Sequence, residues 1–185
     1  DTERRTTLPG LFAAGDVAGG CPQKYVSGAL VEGKIAAQSI ADYLKDTPVS
    51  EAAPTESAAV QNELEAHLQR EAGILTTEQL EEAMQKVMDE YAGGLGKGYQ
   101  YNATRLQLAN EQICRLEQQI PLLAAEDMDD LLHIYELRER LTVCRVVIAH
   151  LLARRETRWP GFGEYTDYPE CTDDWLKYVN SRMEN

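Results

Sequence analysis

Long apolar runs are missing from this chain. None approaches the roughly 18 residues a membrane-spanning helix needs, and no secretory pattern is present, so the sequence reads as that of a protein without a membrane span. Basic residues are scarce. The chain carries 18 Lys and Arg against 31 Asp and Glu, a net charge of -13. That is the wrong sign for nucleic acid, whose phosphates call for a basic surface. Metal-ligand spacing is absent as well: Cys21, Cys114, Cys144 and Cys171 form no CxxC pair, which argues against zinc or an iron–sulfur cluster held by this chain. Cys114 and Cys144 lie among apolar helix positions and are expected as buried free thiols. The expected compartment is reducing and cytoplasmic, although the start of the chain looks truncated and an upstream targeting peptide stays open.

The charge is uneven. Up to residue 45, Asp1, Glu3, Asp16, Glu32 and Asp42 are matched by Arg4, Arg5, Lys24, Lys34 and Lys45, so the acidic excess lies beyond. An acidic helical surface is either a solvated face or a dock for a basic partner.

Residues 8–15 read as a buried strand and 17–26 as a loop with Gly and Pro. A helix over 28–44 would face Leu30, Ile35 or Ala36, Ile40 and Leu44 inward. Gly33 within it costs about 1 kcal/mol against Ala, which suggests close packing or a ligand. The two prolines and small polar residues of 46–55 mark a linker. Beyond it a period of 3.6 dominates. Helix 56–71 offers Val60, Leu64 and Leu68. Helix 77–91 opens with a Thr76–Gln79 capping box and stops at Gly93-Gly94. Helix 102–120 repeats Leu106, Ala109, Ile113, Leu116 and Ile120 before Pro121, and helix 127–155 is the longest. The predicted fold is mainly α: an antiparallel bundle of three to four helices over 56–158, with a tail at 159–185 packed on it. A strand-loop-helix remnant over 1–45 precedes the bundle.

Ala14-Gly15-Asp16 is where chemistry enters. A strand ending in Gly-Asp, a loop and a helix start at Ser27-Gly28 place a carboxylate beside free backbone N–H groups. Asp16 is either a turn or helix cap, or an acceptor for cofactor hydroxyls. In the second case the amides of Ser27 to Leu30 face an electron-rich ring edge. Ser27 has no visible base and is no nucleophile. His67, His133 and His150 lack ligand-spaced partners and read as structural. The arginines at 138–158 complement a helix terminus and pair with nearby acids, and Arg158 is assigned to anchor the tail back onto the domain of which 1–45 is the remnant.

The stretch Leu8-Pro9-Gly10-Leu11-Phe12-Ala13-Ala14-Gly15-Asp16-Val17-Ala18-Gly19-Gly20 resembles the last FAD-contacting segment of succinate dehydrogenase and fumarate reductase flavoproteins. The tail is similar to the adenylylsulfate reductase alpha branch of that superfamily. It carries Arg155-Glu156-Thr157-Arg158-Trp159-Pro160-Gly161, then Asp167-Tyr168-Pro169, then Trp175 to Arg182. Met88-Asp89-Glu90-Tyr91-Ala92-Gly93-Gly94 fits the same branch.

The resemblance implies the C-terminal portion of an FAD-dependent oxidoreductase that passes electrons between flavin and a ferredoxin-like iron–sulfur subunit. In it Asp16, Ser27, Gly28 and Ala29 contact FAD, and the upstream remainder of the flavoprotein supplies the rest of the site. No catalytic residue is assigned. The loop Cys21-Pro22-Gln23-Lys24-Tyr25-Val26-Ser27 lacks the His and Arg of the dicarboxylate enzymes and has Gln23 where adenylylsulfate reductases have His. The alternatives are a fumarate reductase or succinate dehydrogenase subunit, or a helical domain that serves mainly in subunit assembly. With no G-x-G-x-x-G before residue 10, the chain alone is expected to bind no FAD and to be inactive.

Overall fold

The computed structural model describes residues 1–18, 25–48, 54–71 and 73–182. It divides into two compact units, Asp1–Ala53 and Pro54–Asn185.

The first unit is a tight N-terminal turn packed on one helix, α1 (Val26–Asp46). Residues 8–15, expected as a buried strand, instead form one arm of that turn. Arg5 and Phe12 make an isolated antiparallel bridge, closed by Thr6 N–H to the Leu11 carbonyl and Ala13 N–H to the Arg4 carbonyl, both at 3.0 Å. A buried strand needs neighbours on both sides, and the described residues of this unit supply none. Leu8 and Leu11 consequently stay exposed.

The face that α1 buries also differs from the expected stripe. Glu32, Ala36 and Ser39 are buried, while Leu30, Ile40 and Leu44 are exposed. The cause is Arg4, which crosses from the turn to form an ion pair with Glu32, with Nη2 to Oε1 at 2.8 Å. Phe12 adds an edge-on contact to Tyr43. Gly33 lies on the open face, where a Cβ would meet nothing, so packing does not require it.

The second unit carries the core. Its helices are α2 (Pro54–Leu68), α3 (Thr77–Tyr91), α4 (Ala103–Glu117) and α5 (Met128–Ala153), close to the expected spans. α3, α4 and α5 pack on one another, and α2 lies along α5. Leu80 and Met84 of α3 meet Leu106, Ala109 and Ile113 of α4 and Leu131, Ile134, Leu137, Leu141 and Ile148 of α5. Val60 and Leu68 of α2 stay exposed; its buried residue is His67, whose Nδ1 lies 2.8 Å from the Leu123 carbonyl. That histidine is structural.

Local chemistry sets the helix ends. Thr76 and Gln79 form the reciprocal capping box at α3. After α3 the chain reverses at Gly93, where φ is +81° and an added Cβ would lie 2.8 Å from the Tyr101 ring. Asn102 caps α4 by accepting from Arg105 N–H at 2.8 Å, and Asp127 caps α5. Pro121 sits in a single 3-10 turn, Ile120–Leu122, beyond the end of α4.

The tail packs on the bundle by a parallel pairing that periodicity does not reveal. β1 (Gln100–Tyr101) pairs with β2 (Glu164–Tyr165), which buries Tyr165 against Tyr101. Asp167 Oδ2 accepts from Ala103 N–H at 2.9 Å, a second cap on α4 supplied from the tail. Glu156, only 2% exposed, joins the strands of the tail together. It accepts from Arg158 Nε and Nη2 at 2.9 and 2.8 Å, from Arg154 and from Thr172 N–H. These bonds, those to Arg158 first, hold its carboxyl at about 2, well below its ordinary 4.5. Arg158 also donates to the Thr172 carbonyl at 2.8 Å. Among the described residues, the contacts found for Arg158 lie within the tail.

Candidate functional site

The expected cofactor-binding residues lie at the N-terminal end of α1 and in the turn before it. Gly15–Val17 form one 3-10 turn, and Gly15 adopts φ +74°. A Cβ added to Gly15 would lie 3.5 Å from the Ala29 Cβ, so the backbone of this turn rests against the opening turns of α1. Glycine provides both the left-handed conformation and the close approach. The structure thereby brings Gly15-Asp16 and Ala29 together. Asp16 is exposed in the turn, Ser27 is exposed, and Gly28 is half-buried.

The start of α1 is unlike those of the bundle helices. Its N-cap is Tyr25, whose side chain makes no capping hydrogen bond, and its first turn carries no acidic residue. An α-helix leaves its first N–H groups without intrahelical partners. Ser27 and Gly28 therefore present amide donors at the positive end of the helix dipole, where the first turn itself carries no acid. Ala29 does not: its N–H already donates to the Tyr25 carbonyl at 2.9 Å. Its place at this site is the close contact with Gly15. The loop from Gly19 to Lys24, including Cys21 and the Gln23-Lys24 pair, lies outside the described residues.

Apolar side chains surround this helix end. Val17, Tyr25, Val26 and Leu30 are 78%, 76%, 77% and 70% exposed. Amide donors, a carboxylate and an apolar rim together fit a flat, apolar ring with an electron-rich edge and attached hydroxyls, which is the chemistry of a flavin dinucleotide. Among the described residues no group of three or more His, Cys, Asp or Glu could hold a metal, and no helix is long and apolar enough to cross a membrane.

Sequence reasoning missed the Arg4–Glu32 pair beneath this turn. Its signal was the small-residue face Ala36 and Ser39, one helical repeat on from Glu32. The other sequence-flagged groups serve the fold. His150 Nε2 lies 2.8 Å from Ser181 Oγ and holds the tail, and His133 is exposed. Arg140 pairs with Glu136 one turn earlier and with Glu81 of α3, Arg138 with Glu63, and Arg145 with Glu117. Cys114 and Cys144 are free and half-buried, and burial pushes the Cys144 thiol up.

No family model matches the chain. The adenylylsulfate reductase subunit alpha of Megalodesulfovibrio gigas is 28% identical over 98% of this chain and 29% of its own length. An uncharacterized FAD-dependent oxidoreductase of Methanocaldococcus jannaschii is 27% identical over 92% of the chain and 31% of its own length. The solved adenylylsulfate reductase of Archaeoglobus fulgidus matches 93% of the chain with a TM-score of 0.84 at 34% identity. A quinol fumarate reductase of E. coli, 20% identical with a TM-score of 0.70 over 94% of the chain, shares the fold. The chain spans under a third of each of these relatives. It is homologous to part of the adenylylsulfate reductase alpha subunit and shares its fold with the fumarate reductase flavoproteins.

Proposed function

We propose that this chain forms one wall of the flavin site of an FAD-dependent oxidoreductase of the adenylylsulfate reductase type. The observation that carries the proposal is the N-terminus of α1, which among the described residues has no side-chain cap from Tyr25 and no acid in its first turn, set against the Gly15-Asp16 turn. Asp16 accepts hydrogen bonds from hydroxyls of the ribitol or ribose region. The Ser27 and Gly28 amides donate to the ring edge, where negative charge builds up on reduction, and the helix dipole favours that charge. Bound FAD supplies the hydride and single-electron chemistry. This chain's residues bind and orient it, and the exposed Val17, Tyr25, Val26 and Leu30 exclude water once the remainder of the flavoprotein covers them. Electrons pass onward to a ferredoxin-like iron–sulfur subunit. The enzyme works in the cytoplasm.

A second role, in assembly, has its own support. α5 is apolar on two faces, because Leu132, Tyr135, Val143 and Val147 remain exposed opposite its core stripe. A helix apolar all round is ordinarily covered on every side, and this face suits the iron–sulfur subunit or the upstream part of the flavoprotein.

Purification tests the main reading. The 185-residue chain should emerge colourless, whereas the intact flavoprotein should carry the flavin absorbance band and reduce adenosine 5'-phosphosulfate with electrons from an iron–sulfur protein. A yellow preparation of the chain alone contradicts the claim that it holds half a site. Reduction of fumarate instead of adenosine 5'-phosphosulfate contradicts the branch assigned.

A further inference from the structure

We propose that a cleft between α4, α5 and the C-terminal tail binds a small organic anion, an oxyanion joined to an apolar group. The cleft measures about 460 Å³, within the usual range for ligand sites. Three elements build it. α4 contributes Asn110; α5 contributes Thr142, Arg145, Val146 and Ala149 from successive turns of one face; the tail contributes Ser181 and Arg182.

The lining is unusual for so acidic a protein, whose net charge is -13. Among the described residues its lining holds two guanidinium groups, two hydroxyls and an amide, and no carboxylate. The carboxylate paired with Arg145 is Glu117, which receives only Nη1, at 3.1 Å. Arg145 Nε is buried without a hydrogen-bond partner. The side chain as a whole stays 42% exposed, so an oxyanion in the cleft meets a cation that one acid partly neutralises. Thr142 Oγ1 spends its hydrogen on the Arg138 carbonyl at 3.2 Å. Val146 and Ala149 give the floor an apolar stretch, so a bare inorganic ion leaves half the surface unused.

The tail keeps Arg182 in place. Ser181 is bonded to His150, and Arg154 holds the Trp175 and Lys177 carbonyls at 2.9 and 2.6 Å.

Calorimetric titration of phenyl phosphate into the 185-residue chain tests the site. Saturable binding with a Kd of about 1 mM or tighter is expected, with inorganic phosphate about tenfold weaker because it leaves Val146 and Ala149 uncovered. Arg182→Ala and Arg145→Gln should each weaken phenyl phosphate about tenfold, the loss of one charge-assisted hydrogen bond. Ala149→Glu, an exposed helix position that tolerates the change, should abolish binding while leaving helical circular dichroism and the unfolding midpoint intact. The proposal is overturned by absence of saturation below about 10 mM, by equal affinity for inorganic phosphate, or by binding that persists in Ala149→Glu.

Discussion

The two units of this chain begin their helices in opposite ways and place their apolar side chains in opposite places. In the second unit Thr76, Asn102 and Asp127 cap α3, α4 and α5 with their own side chains. Its leucines and isoleucines meet in one core. In the first unit α1 starts at Tyr25, whose side chain makes no cap, and among its described residues the one hydrophobic residue buried is Ala36. A satisfied helix end stabilises the helix that carries it; an unsatisfied one is available to bind. On the proposed reading, the remainder of the flavoprotein covers the first unit, and the bundle's own core holds the second.

Core truncation should separate the units most sharply. Leu137→Ala or Leu106→Ala, at fully buried positions, should cost about 2–5 kcal/mol in urea unfolding followed by circular dichroism. Leu30→Ala on the open face of α1 should fall within about 0.5 kcal/mol. Equal losses at both places would erase the contrast.

Capping gives a smaller difference with opposite signs. Removing a cap by Asn102→Ala should cost about 1 kcal/mol, whereas supplying one by Tyr25→Ser should stabilise α1 by a similar amount. In the intact flavoprotein the same Tyr25→Ser change should lower FAD retention, because its hydroxyl competes for the amides a cofactor would use. A gain in both stability and retention would argue that the α1 terminus serves only the fold.

The smallest expected effect is local to the tail. Glu156 titrates at about 2 in the folded chain against 4.5 for an ordinary glutamate, chiefly through the Arg158 hydrogen bonds. Its contribution is therefore complete above 4.5 and fades as pH falls toward about 2. Trp159 and Trp175 fluorescence should report loosening of the tail across that window. Glu156→Gln should leave the tail loosened at neutral pH and abolish the change across that window.

What the sequence made legible was local. The capping box at α3 and the Gly93-Gly94 stop are short-range patterns, and the structure shows both where they were read. Long-range pairing left no periodic trace. β1 and β2 are two residues each and 64 positions apart, as are Asp167 and the Ala103 amide it caps. Within the tail motifs that carry the family resemblance, Asp167 fixes the tail to α4, and Glu156 and Arg158 tie it to Thr172. The strand over 8–15 and the inward stripe of α1 misread the first unit because both patterns presuppose neighbours. Here Arg4 and Glu32 set the buried face instead. At the candidate site, Gly15-Asp16 and the α1 start were visible as residue types. That Ala29 contributes packing and not an amide needed the hydrogen-bond geometry.

Amide hydrogen exchange at Ser27 and Gly28 in the intact flavoprotein, with and without FAD, tests the central claim most directly. If α1 presents its free N–H groups to the flavin, both amides should exchange markedly more slowly once FAD is bound, and Asp16→Ala should reduce that protection. Bound FAD with unchanged exchange at both positions would contradict the account.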